Sequence, residues 1–318
     1  MTISAIPIEE IYAAQKRIKD SVIRTPLIRL NVADAPAEIY LKLENLQPIG
    51  SFKLRGAGNA MGAATDTELA KGVYTASAGN MAQGVAWNAQ RKGLPCTVIV
   101  PDHAPQTKLD AIARLGGKVI KVTFDEWWQI IVAHEFPGQE GLFIHPVSNP
   151  KVMAGNGTIG LEILEDCPDV DAVIAPYGGG GLSCGIGSAI KALKPDTKMF
   201  AVEVNTAAPL AASLEAGSPQ AIEYTPTFID GMGGKAIVPE MWDFASNLID
   251  GSLVMSVGEI AGAVRLLLER NRVLAEGAGA AAVAAAMAGK AGSGKVVCVI
   301  SGGNLDESKL VKILNREI

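Results

Sequence analysis

The 318 residues are 48% hydrophobic and only 5% aromatic, which is ample material for a core larger than a single small domain builds. Twenty-eight Lys and Arg against 33 Asp and Glu leave a formal charge of −5, which argues against a nucleic-acid face or a polybasic membrane surface and for a small-molecule partner. Residues 1–20 lack a basic start, an apolar run and a small-residue cleavage site, so a cytoplasmic location is expected, and the mostly alanine run from Gly277 to Gly289 falls short of the roughly 20 residues that span a bilayer.

In chain order, the opening 1–20 reads as an amphipathic helix. Short β-branched runs then predict strands over 39–43, 73–76, 96–100, 118–122, 172–175, 199–204 and 295–300. Helical periodicity between them predicts helices over 52–63, 81–91, 105–115, 157–165, 182–192, 257–270 and 278–288. In the sixth of these, Ile260, Val264 and Leu267 form one apolar face. Alternation of this kind is the pattern of crossover units around parallel strands, so the expected class is α/β with two open, twisted, mostly parallel sheets. Residues 72–146 contain their own set of units, which predicts a small domain inserted between the two parts, 1–71 and 147–318, of a larger one. Cys96, Cys167, Cys184 and Cys298 form no C-x-x-C pair, and His103, His134 and His145 have no zinc-ligand spacing, so all seven are read as structural.

Two stretches are compatible with phosphate binding. Gly289 to Lys295 matches the first seven positions of a P-loop, but Val296 replaces the magnesium-holding hydroxyl residue and a strand follows where a helix belongs, so it reads as a turn. Gly178, Gly179, Gly180 and Gly181 directly follow a predicted strand and open a helix, where backbone N–H groups and the helix dipole suit an anion. No dinucleotide fingerprint threads through them, because Ser183 or Cys184 falls at the last glycine, so a single phosphate is the better fit.

The segment from Lys42 to Gly56 contains Ser-Phe-Lys-Leu-Arg-Gly at 51–56. It resembles the cofactor-lysine segment of the pyridoxal-phosphate enzymes of the tryptophan-synthase β-subunit fold (fold type II), in the branch of threonine and serine dehydratases and serine racemase. Further matches follow in the family's order: Ser77-Ala-Gly-Asn80 with Gln83, His145-Pro146, Gly155 to Ile159 with Glu162, the glycine tetrad, Asp230-Gly231, Glu276 with Gly279-Ala280, and Ser301-Gly-Gly-Asn304. The resemblance implies that pyridoxal 5'-phosphate is the cofactor, that Lys53 is its Schiff-base lysine and the catalytic base, and that Phe52 packs near its ring. It further implies that Gly178 to Gly181 cradle the phosphate, Asn80 meets the ring oxygen, Ser301 faces the pyridine nitrogen, and Ser77, Ala78, Gly79, Asn80 and Met81 bind the substrate. His145, the 155–159 segment and Glu162 are expected to pack rather than to react.

The implied reaction is β-elimination from a β-hydroxy amino acid, giving a 2-oxo acid and ammonia. A hydroxyl such as that of Ser301 keeps the pyridine less protonated than a carboxylate would, which favours expulsion of a β-substituent over a long-lived carbanion. Leu54 leans towards the dehydratase branch, since cysteine and threonine synthases carry Asp there, and β-replacement by a synthase of the same fold is the alternative. Ala78 replaces the second serine of the racemases, so racemisation is expected to be weak or absent. Met81 stands where dehydratases carry His, and with Trp87 it could form an apolar wall for a bulkier substrate than threonine or serine, such as phenylserine; hydroxyaspartate is a further candidate. Glu203 with Ala207 matches part of the family's divalent-cation set, but Pro209 replaces its Asp, so no side-chain metal ligand and no divalent cation is expected, while a monovalent ion held by carbonyls stays open. A homodimer is expected from the resemblance.

Overall fold

A computed structural model describes residues 5–318; the part of the predicted opening helix on residues 1–4 lies outside the described residues. The strands are β1 (Leu27–Arg29), β2 (Glu38–Lys42), β3 (Val73–Ala76), β4 (Cys96–Pro101), β5 (Lys118–Val122), β6 (Leu142–Phe143), β7 (Ala172–Pro176), β8 (Lys198–Val204), β9 (Gly251–Met255) and β10 (Lys295–Val299). The first helices are α1 (Ile8–Ile18), α2 (Lys53–Ala63), α3 (Asp66–Leu69), α4 (Asn80–Lys92), α5 (Gln106–Arg114), α6 (Phe124–Ala133) and α7 (Pro150–Asp166). They are followed by α8 (Gly181–Leu193), α9 (Pro209–Ala216), α10 (Trp242–Leu248), α11 (Val257–Asn271), α12 (Gly277–Met287) and α13 (Glu307–Leu314).

Among the described residues, ten strands form two sheets. The larger has the order β1-β2-β10-β7-β8-β9 and the smaller the order β5-β4-β3-β6. Every pairing is parallel except β1 with β2. Both faces of the large sheet are covered. On one side α11 and α12 pack Ile260, Val264, Leu267, Val283 and the alanines between 280 and 286 against β2, β7, β8 and β10. On the other, α7, α8 and α10 bury Ile159, Ile186 and Leu248 against Val173, Ala201 and Val297. Burial on both faces explains why β7 and β10 read as continuous apolar runs rather than alternating ones. The small sheet is covered on one face by α4 and α5, together with Ala57, Ala60 and Met61 of α2 and Val152 of α7. Its opposite face packs on Ile130 and Ile131 of α6. No helix of the described residues is long and apolar enough to cross a membrane.

The elements that depart from expectation have local causes. α7 begins at Pro150, seven residues before the predicted start, capped by the Asn149 side chain. Its early turns carry Gly155, where a Cβ would lie 2.5 Å from Arg55 O; the glycine thus marks close packing on α2 rather than a break. α6, where no helix is expected, buries only Ile130 and Ile131 and leaves Phe124, Trp128 and Val132 exposed, so its apolar residues do not mark one face. β1, β6 and β9 are short or half-exposed and lie at sheet edges. The P-loop-like stretch is the turn between α12 and β10, with Gly289 and Gly292 at positive φ.

Candidate active site

The cleft lies at the carboxyl ends of β3, β7 and β10, where ligands bind in open α/β sheets. It has a volume of about 560 Å³, and all twelve residues singled out from the sequence line it. Phe52 and Lys53 come from the start of α2, and Ser77 to Met81 from the β3–α4 junction. Gly178 to Gly181 come from the β7–α8 junction, and Ser301 follows β10.

A buried network of charged side chains lies two residues from Lys53. Two residues on, Arg55 is fully buried and donates to both Glu44 oxygens at 2.8 Å and to Glu162 Oε1 and Oε2 at 2.7 and 2.8 Å. Lys42 Nζ lies 2.6 Å from Glu162 Oε2, and Thr25 Oγ1 donates to Glu44. Two buried cations thus face two buried carboxylates, and removing any one strands the rest, at about 3–5 kcal/mol. Glu162, expected merely to pack, ties α7 to α2 and β2. This network fixes the first turn of α2, so that Lys53 Nζ reaches across the cleft and donates to Pro146 O at 2.7 Å, 5.2 Å from the Phe52 ring centroid. Burial pushes the Lys53 ammonium down to about 8, against the opposing pull of Glu276. The amine is therefore available as a base near neutral pH.

The glycine loop suits a phosphate for steric reasons. A Cβ at Gly179 would come within 2.5 Å of Val147 Cγ2, one at Gly181 within 2.6 Å of Val147 O, and Gly180 has φ +95°. Only glycine fits, so the chain turns tightly and presents bare backbone to the cleft, with the first-turn N–H groups of α8 free of intrahelical partners. Ser183 Oγ donates to Pro176 O and Asn156 Nδ2 to Gly181 O, which hold the loop from behind. Lys53, Asn80 and Ser301 line the same cleft, so the residues present fit pyridoxal phosphate: bare backbone for a phosphate, an amine, an amide and a hydroxyl.

Several cleft residues carried no role in the sequence reading. Asp230 Oδ2 accepts from Lys108 Nζ at 2.8 Å and from Lys309 Nζ at 3.1 Å; burial works against the charge, but the two lysines hold this carboxyl below the usual range. Glu276 is 6% exposed, and burial pushes its carboxyl up to about 7 in spite of a hydrogen bond from Asn80. Glu276 stood out in the sequence only as an acid before the apolar stretch 277–287 and as a member of the family-like block with Gly279-Ala280, neither of which gives it a role. Thr107, Arg114, Phe124 and Trp127 extend the cleft outwards along α5 and α6. Met81 lines the wall but is 2% exposed and packs in the small-sheet core. Trp87 is not at the wall: Arg91 stacks over its ring at 4.8 Å on the outer side of α4, because the two lie one helical turn apart.

The metal-like position is used differently. Both Glu203 oxygens accept hydrogen bonds, from Leu210 N and Ala211 N of α9 at 2.9 and 2.8 Å and from Ser252 Oγ at 2.7 Å, so this carboxylate caps a helix that Pro209 opens. His145 accepts from the N–H groups of Val147 and Ser148, shaping the turn after Pro146, and the four cysteines are buried free thiols.

Residues 18–302 match the family model of the pyridoxal-phosphate dependent enzymes. The chain belongs to this family. It is 42% identical over 317 residues to an L-threonine ammonia-lyase of Thermotoga maritima, covering 98% of this chain and 79% of that one. Among solved structures, maize serine racemase superposes with a TM-score of 0.89 at 32% identity, covering 99% and 98% of the two chains. The processed threonine deaminase isoform 2 of Solanum lycopersicum superposes with a TM-score of 0.87 at 35% identity, covering 98% and 94%.

Proposed function

We propose that this protein is a pyridoxal-phosphate dependent ammonia-lyase that deaminates L-threonine, with serine and bulkier β-hydroxy amino acids as further candidate substrates. The observation that carries the reading is the meeting of Lys53 Nζ, of lowered basicity, with the glycine cradle, Asn80 and Ser301 in one cleft. Relatives named for threonine deamination, 42% and 35% identical, support threonine as the first substrate to test.

The roles follow from the side chains. Gly178 to Gly181 and the amino end of α8 bind the cofactor phosphate, Phe52 packs beside the ring, and Ser301 meets the pyridine nitrogen without a carboxylate's charge. Bound, pyridoxal phosphate supplies the electron sink that makes the substrate's α-proton removable. Lys53 Nζ takes that proton, helped by a pKa near neutrality. The loop from Ser77 to Asn80 offers N–H groups at a helix start to the substrate carboxylate, with Met81 behind it. Ala78 has no hydroxyl with which to return a proton from the loop side, which disfavours racemisation. Residues 72–146 act as a small domain that closes over the site and excludes water, against a large domain of 1–71 and 147–318. The protein acts in the cytoplasm as a homodimer.

Assays of the holoenzyme with threonine, serine, hydroxyaspartate and phenylserine, reading 2-oxo acid and ammonia, test the reading. Release of both from threonine is the expected result. Turnover that requires sulfide as a second substrate would instead identify a β-replacement synthase, and interconversion of enantiomers without ammonia a racemase.

A further inference from the structure

Glu276 occupies the N-cap position of α12 but makes no side-chain bond to that helix. Its backbone N–H donates to Gly302 O at 3.0 Å, and its side chain turns towards the cleft, where one oxygen, Oε1, accepts from Asn80 Nδ2 at 2.9 Å. Two glycines make the room. A Cβ at Gly302 would lie 2.6 Å from Oε1, and one at Gly231 would lie 3.2 Å from it. On the other side, Asn80 Oδ1 accepts from Asn304 Nδ2 at 2.7 Å, and that amide also donates to Ile49 O at 2.8 Å.

Both ends of the Asn80 amide are therefore specified. An ionised carboxylate only accepts and an amide nitrogen only donates, so Nδ2 must face Glu276 and Oδ1 must face Asn304. One Nδ2 proton is left over, on a residue that lines the cleft. The two anchors lie on the large-sheet side, whereas Asn80 opens the helix after β3, so the same contacts seat the Ser77 to Asn80 loop.

We propose that Glu276 is a positioning residue of this site: through its bond to Asn80 it aims the remaining amide N–H at the ring oxygen of the cofactor and holds the loop in place. The inference rests on the cofactor-binding role proposed for Asn80. The charged groups around Glu276 are Lys53 of α2, Asp230 of the loop before Met232, and Lys108 of α5. Its raised pKa means that it gains a proton as pH falls through about 7, which weakens the acceptor that Asn80 needs.

The test is a double-variant cycle on cofactor affinity, read by visible absorbance of the protein titrated with pyridoxal phosphate, with no substrate present. N80A and E276L are each expected to weaken binding about tenfold, the loss of one hydrogen bond to a charged oxygen, and E276L/N80A to bind no more weakly than N80A. Losses that multiply to about a hundredfold, or an E276L variant that binds as tightly as the parent, would overturn the proposal. E276Q keeps a neutral acceptor oxygen, so it is expected to bind a few-fold more weakly than the parent at pH 8, where Glu276 is ionised, and to match the parent within about twofold at pH 6, where the parent's carboxyl is itself neutral. If circular dichroism shows E276L unfolded, that comparison decides: an affinity ratio of E276Q to parent that does not change between pH 8 and 6 overturns the role. A parent protein that takes up no cofactor would refute the functional reading itself, a result distinct from either failure.

Discussion

Lys108 Nζ, on a helix of the small sheet, donates to Asp230 Oδ2 at 2.8 Å across the mouth of the cleft, beside a second donor, Lys309. His134 makes a similar crossing elsewhere, its Nε2 3.2 Å from Glu240 Oε1. Both links join a basic side chain of the small-sheet region to a carboxylate of the large-sheet region, so they favour a closed cleft.

D230N is accordingly expected to loosen closure. The pair is partly exposed, with Lys108 at 25% and Asp230 at 41%, so solvent screening limits its worth to about 1 kcal/mol or less. Steady-state kinetics should show kcat/KM for threonine falling by up to about fivefold, with the remaining activity less sensitive to salt than the parent's. An unchanged salt dependence would count against the link.

Lys53→Met should abolish turnover and at the same time stabilise the cofactor-free protein. The folded-state pKa of about 8 lies below the ordinary 10.5, so the lysine's contribution is fully present only above pH 10.5 and is lost as pH falls through 8. At pH 7 the penalty for burying the ammonium is therefore in force, at most about 3 kcal/mol at 1.36 kcal/mol per unit. Urea denaturation of parent and variant at pH 7 measures it, with a higher midpoint expected for Lys53→Met.

Glu276 and His145 oppose each other in acid. The Glu276 pKa is raised from 4.5 to about 7, so its share of stability is complete below 4.5 and disappears as pH rises through 7. Burial, together with the neighbouring His134, pushes His145 from 6.5 to about 4, so its share is complete above 6.5 and falls away down to 4. Between pH 6.5 and 4.5 the two slopes largely cancel. E276Q removes one of them, so its stability should fall more steeply than the parent's over this window, by up to about 3 kcal/mol in denaturation midpoints converted to free energy.

Ser301→Asp is expected to place a carboxylate opposite the pyridine nitrogen and to deepen the electron sink. Elimination should slow and the visible spectrum of the holoenzyme during turnover should gain long-wavelength absorbance. Kinetics and spectrum identical to the parent would mean that this 2%-exposed serine only closes the end of β10.

Met81→His separates wall from core. Burying an imidazole among Val85, Val98 and Ile144 should lower the melting temperature, since an unpaired polar group there costs about 1–3 kcal/mol. The ratio of specificity constants for threonine over phenylserine should move little. A rise of tenfold or more in that ratio would mean that the side chain borders the β-substituent after all.

β3, buried along its whole length, and β5, a half-exposed edge strand, both match the expected bounds residue for residue, because short runs with β-branched residues between turns leave no competing period. The cradle was legible for a related reason. Four successive glycines after a strand mark a tight backbone turn that can seat an anion, and Lys53 stands in a local run, Ser-Phe-Lys-Leu-Arg-Gly, that carries the resemblance by itself. Glu276, Asp230, Lys108 and Asn304 were not assigned roles because their meaning is relational: they come from the loop before Met232, from α5 and from the segments after Asn271 and Ile300, and a charged residue at a helix start normally caps it. Only the tertiary structure turns Glu276 away from its own helix and into Asn80, or makes Glu203 a cap. The sequence alone determined which groups can bind a phosphate, form a Schiff base and accept a proton. Folding decided which of them share one low-dielectric cleft, and burial there lowers the pKa of Lys53, against the pull of Glu276, and raises that of Glu276.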